Sequence, residues 1–92
     1  MDEKRVKVVI SGRVQGVGFR ASCQSQAYAL GVTGWVRNRW DGSVEVLIEG
    51  PNEAVDTMIR WCQHGPRAAM VTGVEVTAAP PGPARGSFSI RW

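Results

Sequence analysis

The residues best suited to chemistry lie in one glycine-rich stretch, GRVQGVGFR, which runs from Gly12 to Arg20. Its three glycines let the backbone turn tightly and approach a ligand closely, because glycine has no Cβ atom. Backbone N–H groups in such a loop, directly before a helix, attract anions. Arg20 adds a planar guanidinium whose donors suit phosphate oxygens. The stretch predicts a phosphate or carboxylate site; it lacks the Walker pattern, and Gly16-x-Gly18 alone is a weak dinucleotide signal.

The sequence on either side predicts the elements that position this stretch. β-branched residues over 6–10 favour a strand before it. A helix is predicted over residues 21–30, ending at Gly31. The next patterns predict a hairpin: a strand over 33–39, an Asp41-Gly42 turn and a strand over 43–49. A helix with Asn52 as its N-cap and a strand over 69–76 follow. The chain then continues as an extended loop over 78–86 and a short edge strand over 87–92.

The spacing of apolar residues assigns a common face to both helices and to the third strand. They are Phe19, Cys23, Ala27 and Leu30 for the first helix, Val55, Met58, Ile59 and Cys62 for the second, and Val44, Val46 and Ile48 for the third strand. In the fourth strand Met70, Thr72, Val74 and Val76 share one parity and are expected on one face. The other face of the third strand is mixed, because it alternates glutamate with leucine.

The order of elements predicts an α+β fold, the ferredoxin-like split β-α-β sandwich: βαββαβ plus a short C-terminal edge strand, with two helices on one face of an antiparallel sheet. We expect a single domain over residues 1–92. In this topology the first and second strands run the same way with the third between them. Arg20 should therefore meet the Arg37-Asn38-Arg39 group at one edge of the sheet, although eighteen residues separate Arg20 from Asn38.

The charge is distributed unevenly along the chain. The net charge is +3 with a pI near 9.4, but residues 1–40 have a net charge of +5 and residues 41–92 a net charge of −2. The positive charge thus belongs to the half that contains the glycine-rich stretch. This favours an anionic partner, either a small phosphate compound or a nucleic acid.

Other classes of protein and site find little support. No apolar run is long enough to span a bilayer, and the first residues lack a signal-peptide pattern, so we expect a cytoplasmic protein without membrane contact. Cys23 and Cys62 lie on predicted core faces, which favours reduced, buried thiols over a disulfide between them. A lone His64 and two cysteines have no metal-ligand spacing.

Two long motifs resemble the acylphosphatase family. Residues 12–20 match that family's first signature, G-x-V-Q-G-V-x-[FY]-R, throughout. Residues 34–44, GWVRNRWDGSV, fit every fixed position of its second signature, G-[FYW]-[AVC]-[KRQAM]-N-x-x-x-G-x-V. The stretch WCQHGP that starts at Trp61 also resembles the family's segment after its second helix. The resemblance covers about residues 7–76, whereas the tail over 78–92 is less informative.

The resemblance implies a ferredoxin-like fold and the hydrolysis of small acyl phosphates to a carboxylate and inorganic phosphate, without metal or cofactor. Arg20 would then bind the substrate phosphate, and Asn38 would position the attacking water. The remaining phosphate-binding positions that the resemblance implies are the backbone N–H groups of Gln15, Gly16, Val17, Gly18 and Phe19. The partners expected are therefore an acyl phosphate and inorganic phosphate, with no nucleic acid, and the protein is expected to be a monomer.

Three questions stay open at the level of sequence. RNA-binding RRM domains share this architecture and a basic charge, but they stack bases on aromatic residues of the central strands, and residues 6–10 and 43–49 contain none. A non-catalytic or regulatory domain that binds phosphate or carbamoyl phosphate would keep the same anion site. Trp40, beside Asn38, either shapes the acyl side of the site or is an ordinary packed or exposed tryptophan.

Overall fold

The computed structural model describes residues 2–80, 82 and 86–92. The predicted order of elements is confirmed: β1 (Glu3–Arg13), α1 (Phe19–Leu30), β2 (Thr33–Asn38), β3 (Val44–Pro51), α2 (Asn52–Cys62), β4 (Met70–Ala78) and β5 (Phe88–Arg91). Of the extended loop predicted over 78–86, residues 81 and 83–85 lie outside the described residues. No helix within the described ranges is long and apolar enough to cross a membrane.

The strands form one sheet in the order β4-β1-β3-β2-β5. β1 pairs antiparallel with β3 and β4, and β2 pairs antiparallel with β3. The predicted separation of β1 and β2 by β3 is therefore confirmed. β5 lies at the opposite edge from β4 and pairs parallel with β2. The sheet is therefore mixed, whereas the sequence predicted an antiparallel one, because β5 runs in the same direction as β2. The two helices on this sheet give the ferredoxin-like α+β fold that the sequence predicted.

The core lies between the helices and one face of the sheet. The predicted helical faces are confirmed, because their central side chains are buried and Leu30 and Ile59 pack at the margin. β1 and β3 contribute alternate residues to the same core. The fully enclosed side chains from the four elements are Val8, Ile10, Val44, Val46, Ile48, Cys23, Ala27, Val55, Met58 and Cys62.

The mixed face of β3 is explained by charge pairing across the open side of the sheet. Glu45 is only 5% exposed. Its carboxylate contacts Arg37 Nε at 2.6 Å and Lys7 Nζ at 3.6 Å. A buried carboxylate is tolerated when opposite charges and hydrogen bonds compensate its lost hydration. The Arg37 side chain therefore lies on this face of the sheet, paired with Glu45.

Two local predictions are wrong. Met70 and Val74 do not share a face: Val74 packs against the core together with Val71, which has the opposite parity, while Met70 is exposed. The cause is a register shift in the β1–β4 pairing at Ser11/Gly12, because one extra residue in β4 reverses the alternation there.

Asn52 is not an N-cap: α2 starts at Asn52 itself, after Pro51, with no side-chain cap.

Both cysteines are free and buried, as predicted. Burial raises the pKa of the Cys62 thiol to about 12. Burial also raises the pKa of Cys23 well above its ordinary value, and the neighbouring Cys62 adds to the effect. Because the thiolate is the reactive form, both residues behave as small apolar groups of the core.

Gly34 is required where β2 approaches β3. Its φ is +140°, and a Cβ built there would overlap the carbonyl oxygen of Leu47. We expect Gly34→Ala to lower the free energy of unfolding by at least about 3 kcal/mol, since both torsional strain and backbone displacement contribute. Gly31→Ala is the matched control: its φ is +73° with no atom within 4 Å, so a loss of only about 1–2 kcal/mol is expected. Urea denaturation measures both, and equal midpoints would contradict this account.

Candidate active site

The glycine-rich loop, residues 14–18, connects the end of β1 to the start of α1. Gly16 and Gly18 have φ values of +73° and +78°, which side chains with a Cβ rarely adopt. A Cβ at either position would meet nothing within 4 Å. Glycine is thus favoured there by its backbone conformation, and the surface of the loop is open to a ligand.

The loop ends directly on the N-terminus of α1. Gly18 occupies the capping position and provides no side-chain cap. Its carbonyl oxygen accepts the first helical hydrogen bond, from Ser22 N–H, at 3.0 Å. The N–H groups of the first helical turn have no acceptor within the helix, and the helix dipole adds partial positive charge there. An anion placed at this end would satisfy these donors.

A pocket of about 190 Å³ opens at this place. The structure brings Arg20 and Asn38 together there, since both line it. The other lining residues are Val14, Gly16, Gly18, Phe19, Ala21, Ile90 and Trp92. Arg20 and Asn38 are both half-buried. Within the described ranges, the Asn38 side chain makes no hydrogen bond to protein, so its amide is free to bind a ligand or water.

The residues next to Asn38 in the sequence do not line the pocket. Arg37 pairs with Glu45 on the open face of the sheet, and Arg39 Nη2 lies 3.9 Å from Asp41. Neither arginine lines the pocket, because side chains alternate along a strand. Trp40 is 97% exposed and also lies outside the lining. Of the group predicted to meet Arg20, only Asn38 reaches the pocket.

Gln15 joins the loop to the strand that bears Asn38. Its side-chain Nε2 donates to the carbonyl oxygens of Arg39 at 2.7 Å and Ser43 at 2.9 Å. The Gln15 side chain therefore points into the β2–β3 turn, and neither Gln15 nor Val17 is among the residues that line the pocket. These two hydrogen bonds tie the loop to the turn that directly follows Asn38, in addition to the pairing of the strands.

The turn that follows Asn38 is held by Asp41. Its Oδ1 accepts hydrogen bonds from the hydroxyl of Ser43 at 2.6 Å and from the Ser43 N–H at 3.0 Å. Both hydrogen bonds lower the pKa of the Asp41 carboxyl from its usual value, and the bond from the Ser43 hydroxyl has the larger effect. Gly42 adopts a φ of +93°, as the predicted hairpin requires.

β5 and the residue directly after it supply two lining residues that the sequence did not indicate. Ile90 and Trp92 enter the pocket because β5 pairs with β2 in the register Val36↔Ile90, next to Asn38. The guanidinium of Arg20 lies 4.1 Å from the centroid of the Trp92 ring. Arg20 Nη1 also donates to the carbonyl oxygen of Arg91 at 3.5 Å. The alternation of residues 87–92 predicted a strand, but nothing in it identified its partner.

The electrostatics of the site favour an anion. Arg20 is a permanent cation in the lining, and none of the lining residues named above is acidic. Among the residues that the structure describes, no group of three or more His, Cys, Asp or Glu side chains is arranged to hold a metal ion. The arrangement can bind a tetrahedral anion through N–H donors and place a side-chain amide beside it.

The chain is similar along nearly its whole length to known proteins. The family model described as Acylphosphatase matches residues 6–90. A protein named acylphosphatase from Anaeromyxobacter dehalogenans (strain 2CP-C) is 50% identical over 99% of this chain and 98% of that relative. Another acylphosphatase, from Roseiflexus sp. (strain RS-1), is 53% identical over 100% and 99%. The crystal structure of acylphosphatase from Bacillus subtilis matches with a TM-score of 0.91 and 38% identity, over 96% of this chain and 98% of that one.

Proposed function

The chain belongs to the acylphosphatase family, and we propose that Arg20, the glycine-rich loop and Asn38 form its active site. The reaction is the hydrolysis of an acyl phosphate to a carboxylate and inorganic phosphate. In the proposed mechanism a water molecule held by Asn38 attacks phosphorus directly. The proposal rests on one observation: Arg20 and Asn38, far apart in sequence, line the same pocket as Gly16 and Gly18.

Arg20 binds the phosphoryl group in this mechanism. Its guanidinium presents parallel donors to two oxygens, and charge-assisted hydrogen bonds of this kind are stronger than neutral ones. Backbone N–H groups of Gln15, Gly16, Val17, Gly18 and Phe19 provide the remaining donors. Phosphoryl transfer spreads charge over the equatorial oxygens, so donors fixed in advance stabilise the transition state.

Asn38 positions the nucleophile. Its side-chain carbonyl oxygen accepts a hydrogen bond from water, which orients a lone pair towards phosphorus. The bond between phosphorus and the bridging oxygen breaks as the new bond to water forms; the electron pair leaves with the carboxylate, and the two protons of the water stay on the inorganic phosphate. A carboxylate is a good leaving group, so a strong general acid is not required. Positioning and charge stabilisation are then the main tasks of the protein.

The activity is tested with benzoyl phosphate, acetyl phosphate and carbamoyl phosphate measured side by side. We expect turnover of acyl phosphates, competitive inhibition by inorganic phosphate, and no change of rate on addition of a chelator. Saturable phosphate binding without turnover of any of the three would favour the non-catalytic, regulatory alternative. Loss of activity with a chelator would contradict the metal-free mechanism.

A further inference from the structure

Arg20 forms no ion pair with a carboxylate among the residues that the structure describes. Among the described residues, no Asp or Glu lies within ion-pair distance of its guanidinium, although Arg5, Arg37 and Arg39 each pair with one. What Arg20 does contact is the face of the Trp92 ring, at 4.1 Å, and the carbonyl oxygen of Arg91. Both contacts come from the end of β5.

An aromatic partner has a different effect on a phosphate-binding arginine from that of an acidic one. A carboxylate would occupy the in-plane N–H donors of Arg20 and neutralise its charge, so it would compete with phosphate. An aromatic ring attracts the cation through its face and leaves the in-plane donors free. Stacking therefore restricts the orientation of the guanidinium without consuming what the substrate needs.

We propose that Trp92 is a positioning residue: its ring holds the Arg20 guanidinium in the plane in which its donors face the phosphate. This rests on the proposed function of Arg20. Trp92 is 94% exposed, so packing into the core does not explain its position. It lines the pocket together with Arg20, and β5 brings it level with the end of β2, where Asn38 lies. The stacked pair thus presents one preset donor group to the anion.

Two substitutions of Trp92 distinguish stacking of an aromatic ring on Arg20 from the simple presence of an apolar side chain. Trp92→Leu keeps an apolar side chain and removes the π face, whereas Trp92→Phe keeps a face. We expect Trp92→Leu to lower kcat/KM for benzoyl phosphate about two- to fivefold and to weaken inhibition by inorganic phosphate by a similar factor. Trp92→Phe should recover most of both. Trp40→Leu is the matched control, because Trp40 is equally exposed and does not line the pocket; it should behave as the unmodified chain.

A double-mutant cycle with Arg20→Ala distinguishes a failure of the positioning role of Trp92 from a failure of the proposed active site. If Trp92 acts through Arg20, Trp92→Leu has no further effect on phosphate inhibition once Arg20 is alanine. An equal loss in both backgrounds, or a Trp92→Leu variant with unchanged phosphate inhibition, overturns the positioning role and leaves the function of Arg20 intact. Full activity of Arg20→Ala alone would instead overturn the proposed site. Equal urea midpoints exclude a loss of folding as the cause.

Discussion

Arg20→Ala should lower kcat/KM for benzoyl phosphate by at least about 10³-fold, as expected when the arginine that stabilises a phosphoryl transition state is removed. The loss should appear in binding as well as in turnover, because Arg20 contacts phosphate oxygens in the ground state and in the transition state. Inorganic phosphate should therefore become a much weaker competitive inhibitor. Steady-state hydrolysis and phosphate inhibition, measured on the same preparation, give both quantities.

Two variants control this experiment. Arg60→Ala removes the same charge from an exposed position on α2, outside the pocket, and should leave the kinetics unchanged. Arg20→Lys keeps the charge but not the planar pair of donors, so an intermediate loss is expected. Normal hydrolysis by a folded Arg20→Ala variant would remove Arg20 from the mechanism. An equal loss in Arg60→Ala would show that net charge, and not the site, governs the rate.

Asn38→Ala should lower kcat about 10²- to 10³-fold, the range found when one preorganised polar contact to a reacting group is removed. Inhibition by inorganic phosphate should change little, because the phosphate donors of the loop and Arg20 remain. The distinction between the two residues is therefore a kinetic one: Arg20 affects both binding and turnover, and Asn38 affects turnover alone. Measured kcat and the phosphate inhibition constant decide it.

Asn38→Asp provides the comparison variant. It keeps an acceptor oxygen and the side-chain shape, but its negative charge repels the phosphate, so phosphate inhibition should weaken as well. Asn38 is half-buried at the end of β2 and its side chain has no hydrogen bond to protein among the described residues, so both variants should fold. An unchanged kcat in Asn38→Ala would assign the positioning of water to another group.

The local parts of the fold were predictable because their signals are local. Gly31 ends α1 in the left-handed conformation, and Asp41-Gly42 turns β2 into β3, as their residue types indicate. The position of Arg20 relative to Asn38 followed from strand topology, since two strands that run the same way place their ends together. Their roles in catalysis came from the resemblance and remain to be tested by the variants above.

The parts that were missed depend on contacts between distant segments. The tail over residues 87–92 predicted a strand, but only its parallel pairing with β2 brings Ile90 and Trp92 into the pocket. Met70 and Val74 of β4 were placed on one face by simple alternation, which cannot show the register shift opposite Ser11 and Gly12. The side-chain hydrogen bonds of Gln15 to the β2–β3 turn were missed for the same reason, because they join residues far apart in the sequence.

The pairing of β1 with β4 beyond the register shift makes the glycine-rich loop depend on a strand that contributes no lining residue to the pocket. Gly12 and Arg13, directly before the loop, pair with Val71 and Met70 of β4. β4 is an edge strand, and edge elements open locally at a lower free-energy cost than the whole fold. Such a fluctuation would release the base of the loop while the helices and the rest of the sheet stayed folded. We therefore expect heating to inactivate the protein by partial opening at a temperature below that of global unfolding.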